Sequence, residues 1–510
     1  MCLHKMGEMK MLSKQNVMLI AFYNKKALGV RYLETALRGA EYPVRTVFFK
    51  DFNSVRPKKA TESELRLLKE DIARTKPLMI ALSVMSSMYL EVIDDVIAMI
   101  KESFDIPIVC GGAFATLSPE YFLDRGVSFV IRSDGERAIV KLANALGAGA
   151  DYENIESLCY RKDGNTVINA IGDIPNDINE YGIPTVKCQN ACFIESDTLT
   201  EGDPQLDTLS YEVIASRGCP FNCSYCSCSN LRKLLPKGVK GVRTRSVQSV
   251  IDELMEAKKH CKKIAFVHFY DEIFPNLPGW VDEFIVEYKK HINLPFTIWS
   301  HPKMVDPAVL KKLVNVGLCE VIMGIQSGSE HILHDVFHRY ETQEDIVNAT
   351  KIIRDSGVFW RSYDFMLQHP FESIDDLKES YYLAKRMHGP FELQLHGLNF
   401  LPETDIVDMA IEAGHYTKEE MDEIMYAPMD VQFGAYWQRE SSRESDLWYK
   451  MLYCLQFASM KKKIESFEND PLQHGETIDR MYDKAKKMAR IRYVYKKARI
   501  VLKRVKLLVL

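Results

Sequence analysis

Short apolar runs alternate with helix-patterned stretches along most of the chain, and this alternation sets the first expectations. NVMLIAFY (16–23), YPVRTVFF (42–49), LMIALSVM (78–85), IPIVCGG (106–112) and VSFVIR (127–132) read as buried strands. Between them, KKALGVRYLETALR (25–38), ESELRLLKEDIART (62–75) and LEVIDDVIAMIKES (90–103) place apolar residues at helical spacing, and GERAIVKLANAL (135–146) ends the series. Strands separated by helices of this length predict βαβ units, hence an α/β fold with a parallel, doubly wound (flavodoxin/Rossmann-like) sheet over 16–150. Ligands of such sheets sit beyond the carboxyl ends of the strands. There the chain offers small or flexible residues, among them Ser83, Gly111 and Gly112, and then Glu136 at a helix start.

Residues 151–210 break the pattern. SLCYRKDGNTVIN reads as a hairpin turning at Asp163-Gly164, and DIPNDINEYGIPTVKCQN as an irregular linker rich in Pro, Asn and Asp. From 211 the alternation resumes, with strands at YEVIAS, KIAFVHFY, PFTIWS, CEVIMGI, RSYDFML and ELQLHGLNF. Six βα units over 211–400 predict a partial (β/α)6 barrel of the TIM type, with its active site at the carboxyl ends of the strands. Residues 401–510 are largely helical. The segment 484–510 has no acidic residue, and its Ile491, Val494, Ala498, Val501, Val505 and Leu508 recur at three- and four-residue steps. That pattern predicts a basic amphipathic helix, either docked on the protein or lying on an anionic membrane or an acidic partner.

Composition narrows the functional classes. Hydrophobic residues make up 46% and charged residues 27%, as in a globular protein. A net charge of -4 gives no reason to expect nucleic acid as a partner. No apolar run is long enough to span a bilayer, and the opening MCLHKMGEMKMLSKQ (1–15) reads as a disordered leader without a signal-peptide core. The expected location is therefore cytoplasmic, where cysteines stay reduced.

Chemistry concentrates in SRGCPFNCSYCSCSN (216–230), directly after the first barrel strand. Of the 12 cysteines in the chain, Cys219, Cys223, Cys226 and Cys228 fall within this stretch. A disulfide knot conflicts with a reducing compartment. Structural zinc usually takes four ligands in two separated pairs. Three close thiolates suit three irons of a [4Fe–4S] cluster, leaving one iron open. Cys228 could serve as a fourth ligand and close the cluster, although its C-x-C spacing would crowd two thiolates toward one edge.

The motif Cys219-PFN-Cys223-S-Tyr225-Cys226 resembles the signature of the radical S-adenosylmethionine (SAM) enzymes. FVHFYDEIF (266–274) and VIMGIQSGSEHIL (321–333) are similar to that family's second- and fourth-strand segments. ALSVMSSMYLEVIDDVIAMIK, PIVCGGAFATLSPE and RSDGERAIVKL are similar to the cobalamin-binding domain that one subgroup carries in front of its barrel. The resemblance implies a [4Fe–4S] cluster on Cys219, Cys223 and Cys226, whose open iron chelates SAM and whose electron cleaves it to a 5′-deoxyadenosyl radical. It further implies that Tyr225 contacts adenine. Gln326 and Ser327, with Asp271 or Glu272, would bind the methionyl or ribosyl groups. Ser83, Gly111, Gly112 and Glu136 would contact cobalamin. No Asp-x-His-x-x-Gly is present to supply a lower axial histidine; the resembling subgroup commonly lacks it too.

Two segments depart from the family pattern. DFMLQHPFES (364–373) has Gln368 and Phe371 where glycines are usual, and LNFLPETDI (398–406) lacks a Pro-Gly-Thr turn. The resulting expectation is a cobalamin-dependent radical SAM methyltransferase. It would act on an unactivated carbon of a peptide, lipid or small metabolite, with flavodoxin or ferredoxin as electron donor. The alternatives are a cyclase or rearrangement enzyme with a vestigial cobalamin domain, and a non-catalytic sensor holding a cluster or corrinoid.

Overall fold

The computed structural model describes residues 14–52, 58–435 and 442–509, with the backbone alone at 433–435, 501 and 503–509. The expected leader (1–15) falls almost wholly outside the described residues.

Strands β1 (Val17–Phe22), β2 (Val44–Phe49), β3 (Met79–Ser83), β4 (Ile108–Gly111) and β5 (Phe129–Ile131) form the parallel heart of the first sheet. Their order, β5-β4-β3-β1-β2, reverses direction between β1 and β3. That is the switch point where an open α/β sheet leaves a crevice at its carboxyl edge. Apolar residues lie on both faces of these strands, because helices cover both sides. The helix Glu62–Thr75 starts at a reciprocal cap between Thr61 and Glu64, and Leu68 and Ile72 on its inner face are fully buried.

Residues 151–210 extend this sheet at both edges. β6 (Leu158–Lys162) and β7 (Asn165–Ile168) join antiparallel beside β5. Positive φ at Asp163 and Gly164 gives the turn the twist that a tight hairpin needs. The linker 173–190 contains no strand, but β8 (Ala191–Glu195) and β9 (Thr198–Glu201) then add a hairpin beside β2. The result is a nine-stranded sheet.

The second sheet contains β10 (Ser210–Val213), β13 (Phe266–Phe269), β14 (Phe296–Ser300), β15 (Leu318–Gln326), β16 (Trp360–Leu367) and β17 (Glu392–Gly397). All pair in parallel and in chain order, which is an open six-stranded (β/α) barrel. Between its first two members, β11 (Ser216–Arg217) and β12 (Arg243–Thr244) form a short antiparallel clamp enclosing the cysteine segment. The rest of the chain is helical and ends in Gly475–Val509. That helix turns Ala485 into the barrel core and lays Arg492 and Lys496 across the amino ends of β15–β17. Arg492 Nη1 donates to Phe391 O at 3.0 Å, and Lys496 pairs with Glu320 and, at 3.7 Å, with Glu392. No described helix is long and apolar enough to cross a membrane.

Candidate active site

The cysteine segment leaves β11 at a glycine that the backbone requires. Gly218 has φ +92, and a Cβ there would stand 2.0 Å from Gly241 O, across the β11–β12 clamp. From this point the chain wraps through Cys219, Cys223 and Cys226 into the helix Ser227–Lys233. Main-chain bonds hold the wrap: Cys226 N donates to Cys223 O at 3.2 Å, and Ser229 Oγ donates to the same oxygen at 2.9 Å. Arg232 Nη1 donates to Cys219 O at 2.6 Å, and Ser224 N and Oγ donate to Phe337 O and Val336 O.

All eleven described cysteines are free thiols, so nothing here is a disulfide knot. Among the described residues, no three His, Cys, Asp or Glu side chains close on a single metal ion. The three motif thiols share one loop, and a multi-iron cluster would take each thiolate on a separate iron. Burial pushes the Cys219 thiol up to about 11 and the Cys226 thiol up to about 12, with Glu272 adding to both. They remain protonated until a metal takes the place of the proton. Cys228 is pushed up by burial and by Glu272 as well.

Beneath the loop lies a buried polar support that no sequence motif marked. Phe221 stacks on the imidazole of His301, with ring centres 3.8 Å apart and planes 15° apart. His301 Nε2 stands 3.4 Å from Glu341, which forms a buried ion pair with Arg339. Arg339 Nη1 then reaches Tyr225 Oη at 3.3 Å and Cys223 Sγ at 4.0 Å, while Nη2 donates to Gly324 O at 2.8 Å. The guanidinium thus ties the Cys-Ser-Tyr-Cys turn to β15. HDVFHRYET carries no recognisable pattern, and only the fold brings Arg339 under the loop.

Asp271 and Glu272 follow β13. Asp271 is fully buried and both its oxygens are engaged, accepting from Ala215 N at 2.9 and 3.1 Å and from Ser216 Oγ at 2.6 Å. Burial lifts its carboxyl to about 6 despite those bonds, and burial also raises Glu272. Gln326 ends β15 in a left-handed turn, φ +73, with its amide folded over Gly324. Ser327 is wholly buried and its hydroxyl accepts from Ser329 N at 3.1 Å. The segment is then bolted to the helix Ile374–Arg386. Gly328 N donates to Ser380 Oγ at 2.8 Å, Ser329 Oγ to Asp376 at 2.6 Å, and a Cβ on Gly328 would lie 2.4 Å from Ser380 Cα.

The departures at 368 and 371 have a structural outcome. Gln368 adopts φ +56, the conformation a glycine would take, and its N–H is held by Glu372 at 2.6 Å. Phe371 packs into an apolar cluster with Tyr225 and Met366, edge-on to His415 at 4.7 Å. Gln368 thus holds a left-handed turn without a glycine.

A cavity of about 630 Å³ separates the two sheets, bounded by the carboxyl ends of both. Ser83, Gly111, Gly112 and Glu136 line it from the first sheet; Tyr225, Cys226, Cys228, Asp271 and Glu272 line it from the second. Cys219, Cys223, Gln326 and Ser327 are not among its described lining residues, nor is any histidine. Gly112 has φ +106, and a Cβ there would meet Val84 O at 2.5 Å. Glu136 gives one oxygen to Arg217, and its other oxygen is buried without a hydrogen-bond partner.

Residues 21–143 match the family model described as B12 binding domain, and residues 213–384 match the one described as Radical SAM superfamily. An uncharacterized methyltransferase of Pyrococcus horikoshii is 26% identical over 284 residues, 55% of this chain and 58% of that protein. An anaerobic magnesium-protoporphyrin IX monomethyl ester cyclase of Cereibacter sphaeroides is 23% identical over 301 residues, 54% of this chain and 44% of that one. The chain thus spans about half the length of these curated relatives. In fold it is similar to the radical S-adenosylmethionine methyltransferase TsrM of Kitasatospora setae, solved with cobalamin and a [4Fe-4S] cluster. That likeness has a TM-score of 0.63 at 16% identity and covers 94% of this chain and 100% of that one. The cobalamin-dependent S-adenosylmethionine radical enzyme OxsB, with aqua-cobalamin bound, gives a TM-score of 0.62 at 16% identity, covering 91% and 72%.

Proposed function

Because the chain belongs to the radical SAM proteins that carry an N-terminal B12-binding domain, we propose that it is a cobalamin-dependent radical SAM enzyme that methylates a carbon of an organic substrate. One observation carries this reading: a single cavity is walled on one side by the corrinoid-type crevice and on the other by the cysteine loop. The two chemistries would therefore meet in one space.

The residues fit the groups. Cys219, Cys223 and Cys226 would hold the [4Fe–4S] cluster, and Cys228 lines the cavity as a free thiol. The unpartnered oxygen of Glu136 would be free to accept a hydrogen bond from the corrinoid, and Ser83, Gly111 and Gly112 would leave room beside the backbone for it. When bound, the cluster supplies the electron that breaks a carbon–sulfur bond of SAM, and cobalamin carries the methyl group. Tyr225, fixed by Arg339, orients the adenine. Glu272 faces the polar groups of SAM. Asp271 fixes the start of the loop by its bonds to Ala215 and Ser216. Gln326 and Ser327, outside the cavity lining, would hold the β15 turn behind it, leaving the polar groups of SAM to Glu272 and Tyr225.

The mostly apolar wall, including Leu28, Leu231, Leu235 and Leu401, excludes water from a reactive radical. The same wall fits an apolar part of a peptide, lipid or small metabolite. A flavodoxin or ferredoxin in the cytoplasm would supply the electron. A second reading, cyclisation, draws support from the cyclase among the relatives. Anaerobic turnover with SAM, reductant and a corrinoid separates the two. Methylation yields 5′-deoxyadenosine, S-adenosylhomocysteine and a product one methyl group heavier. Product of unchanged carbon count, or turnover indifferent to corrinoid, overturns methyl transfer.

A further inference from the structure

Over its whole length the helix Gly475–Val509 is not the amphipathic helix expected, because basic residues lie all round it, but its later part turns one side to the barrel and one outward. Arg492, Lys496 and Ile500 point inward and are held by the barrel. The opposite face carries Ile491 at 71% exposure, Val494 at 68%, Tyr495 at 51% and Leu502 at 57%, with exposed Ala498 between them. Steps of three and four residues bring these onto one stripe. Exposed Arg490, Lys497 and Arg499 flank it, and exposed Lys487 stands at its amino-terminal end. Residues 484–510 contain eleven Lys or Arg and no acidic residue.

We infer that this outer face is a docking surface for an anionic lipid bilayer, with the apolar stripe entering the interface and the basic flanks meeting lipid phosphates. Charge complementarity selects this occupant, because an uninterrupted basic rim repels a second copy of itself and attracts an anionic surface. The barrel already holds the inner face, so the helix can lie in the plane of the surface without leaving the protein. The contact also orients the molecule. The helix crosses the amino ends of β15–β17, whereas the cavity opens at the carboxyl ends of the barrel strands. Docking therefore turns the active-site end away from the bilayer.

The test is flotation of the full-length protein with vesicles of equal parts phosphatidylglycerol and phosphatidylcholine. The wild type floats with these vesicles, remains behind with pure phosphatidylcholine, and is released by high salt. Replacing Lys487, Arg490 and Lys497 by Gln lowers the partition coefficient about fivefold per charge. Ile491→Ser with Val494→Ser and Leu502→Ser abolishes flotation; these side chains are exposed, so the circular dichroism spectrum stays that of the wild type. Should the serine variant fail to fold, the charge series and the salt titration decide alone. Failure to float, or equal flotation with neutral vesicles, overturns the proposal. So does a concentration-dependent dimer in sedimentation velocity that the serine substitutions dissociate while vesicle binding is unchanged.

Discussion

Arg217 Nη2 lies 2.5 Å from Glu136 Oε1, so the residue two places before the first motif cysteine is clamped to the opening turn of the helix after β5. The same guanidinium reaches Asp134 at 3.1 Å and lies between the rings of Tyr32 and Tyr181, at 4.7 and 4.9 Å. Arg243, from β12, reaches Asp134 at 2.8 Å. The two walls of the cavity are thus held in register by charges that burial makes costly to separate. Replacing Arg217 by Met should destabilise the protein by about 3 kcal/mol and weaken corrinoid binding, read by denaturant unfolding and by absorbance titration. Unchanged values for both would show that the clamp is dispensable.

Inside the barrel, Asp364 on β16 is buried near Glu320 and Glu392, with Oδ1 lacking a hydrogen-bond partner. Burial first, then those two carboxylates, lifts it to about 7, with Lys496 pulling the other way. A carboxyl whose folded value lies above its unfolded one binds more protons in the native state. Its contribution is full below about pH 4 and lost as pH rises through about 7. Asp364→Asn should flatten that decline in a pH series of urea midpoints. A variant with the wild-type slope contradicts the assignment.

Lys496 is the cation that reaches Glu320 and Glu392 from the last helix. Lys496→Met removes it and leaves Glu320 and Glu392 with only the neutral donors Ser362 and Trp360, at a cost of about 3 kcal/mol. Adding Glu320→Gln should restore part of the loss. Equal melting temperatures for Lys496→Met and wild type would mean that the helix rests on the barrel without this anchor.

Gly328 has no room for a methyl group against the backbone of Ser380 and Glu379. Gly328→Ala should therefore cost about 1–3 kcal/mol and displace the β15 turn. Gly29→Ala, in a helix with nothing within 4 Å of the new Cβ, serves as the control and should be neutral or mildly stabilising. Similar melting curves for the two variants would refute a packing role for the GIQSGS segment.

The strands of both sheets that helices flank could be read in the chain, because each is a buried apolar run between helical patterns. The β6–β7 hairpin announced itself through Asp163-Gly164. The β8–β9 hairpin did not, because Ser196 and Asp197 take φ +52 and +59 without a glycine to mark the turn. The cysteine loop was legible because its chemistry fixes a local spacing. Its support was not: Phe221, His301 and the Arg339–Glu341 pair come from three separate segments, and only the folded barrel brings them together. Glu136 was legible as a cavity residue but not as the partner of Arg217, a pairing between residues far apart in the chain.

The most direct measurement is 5′-deoxyadenosine release from SAM by anaerobically reconstituted, dithionite-reduced protein, alongside the variant with Cys219, Cys223 and Cys226 all replaced by Ala. The wild type should carry a four-iron cluster and release 5′-deoxyadenosine, while the variant holds no such cluster and releases none. A fully clustered wild type that leaves SAM intact, or a triple variant that keeps its four-iron spectrum, would contradict the account.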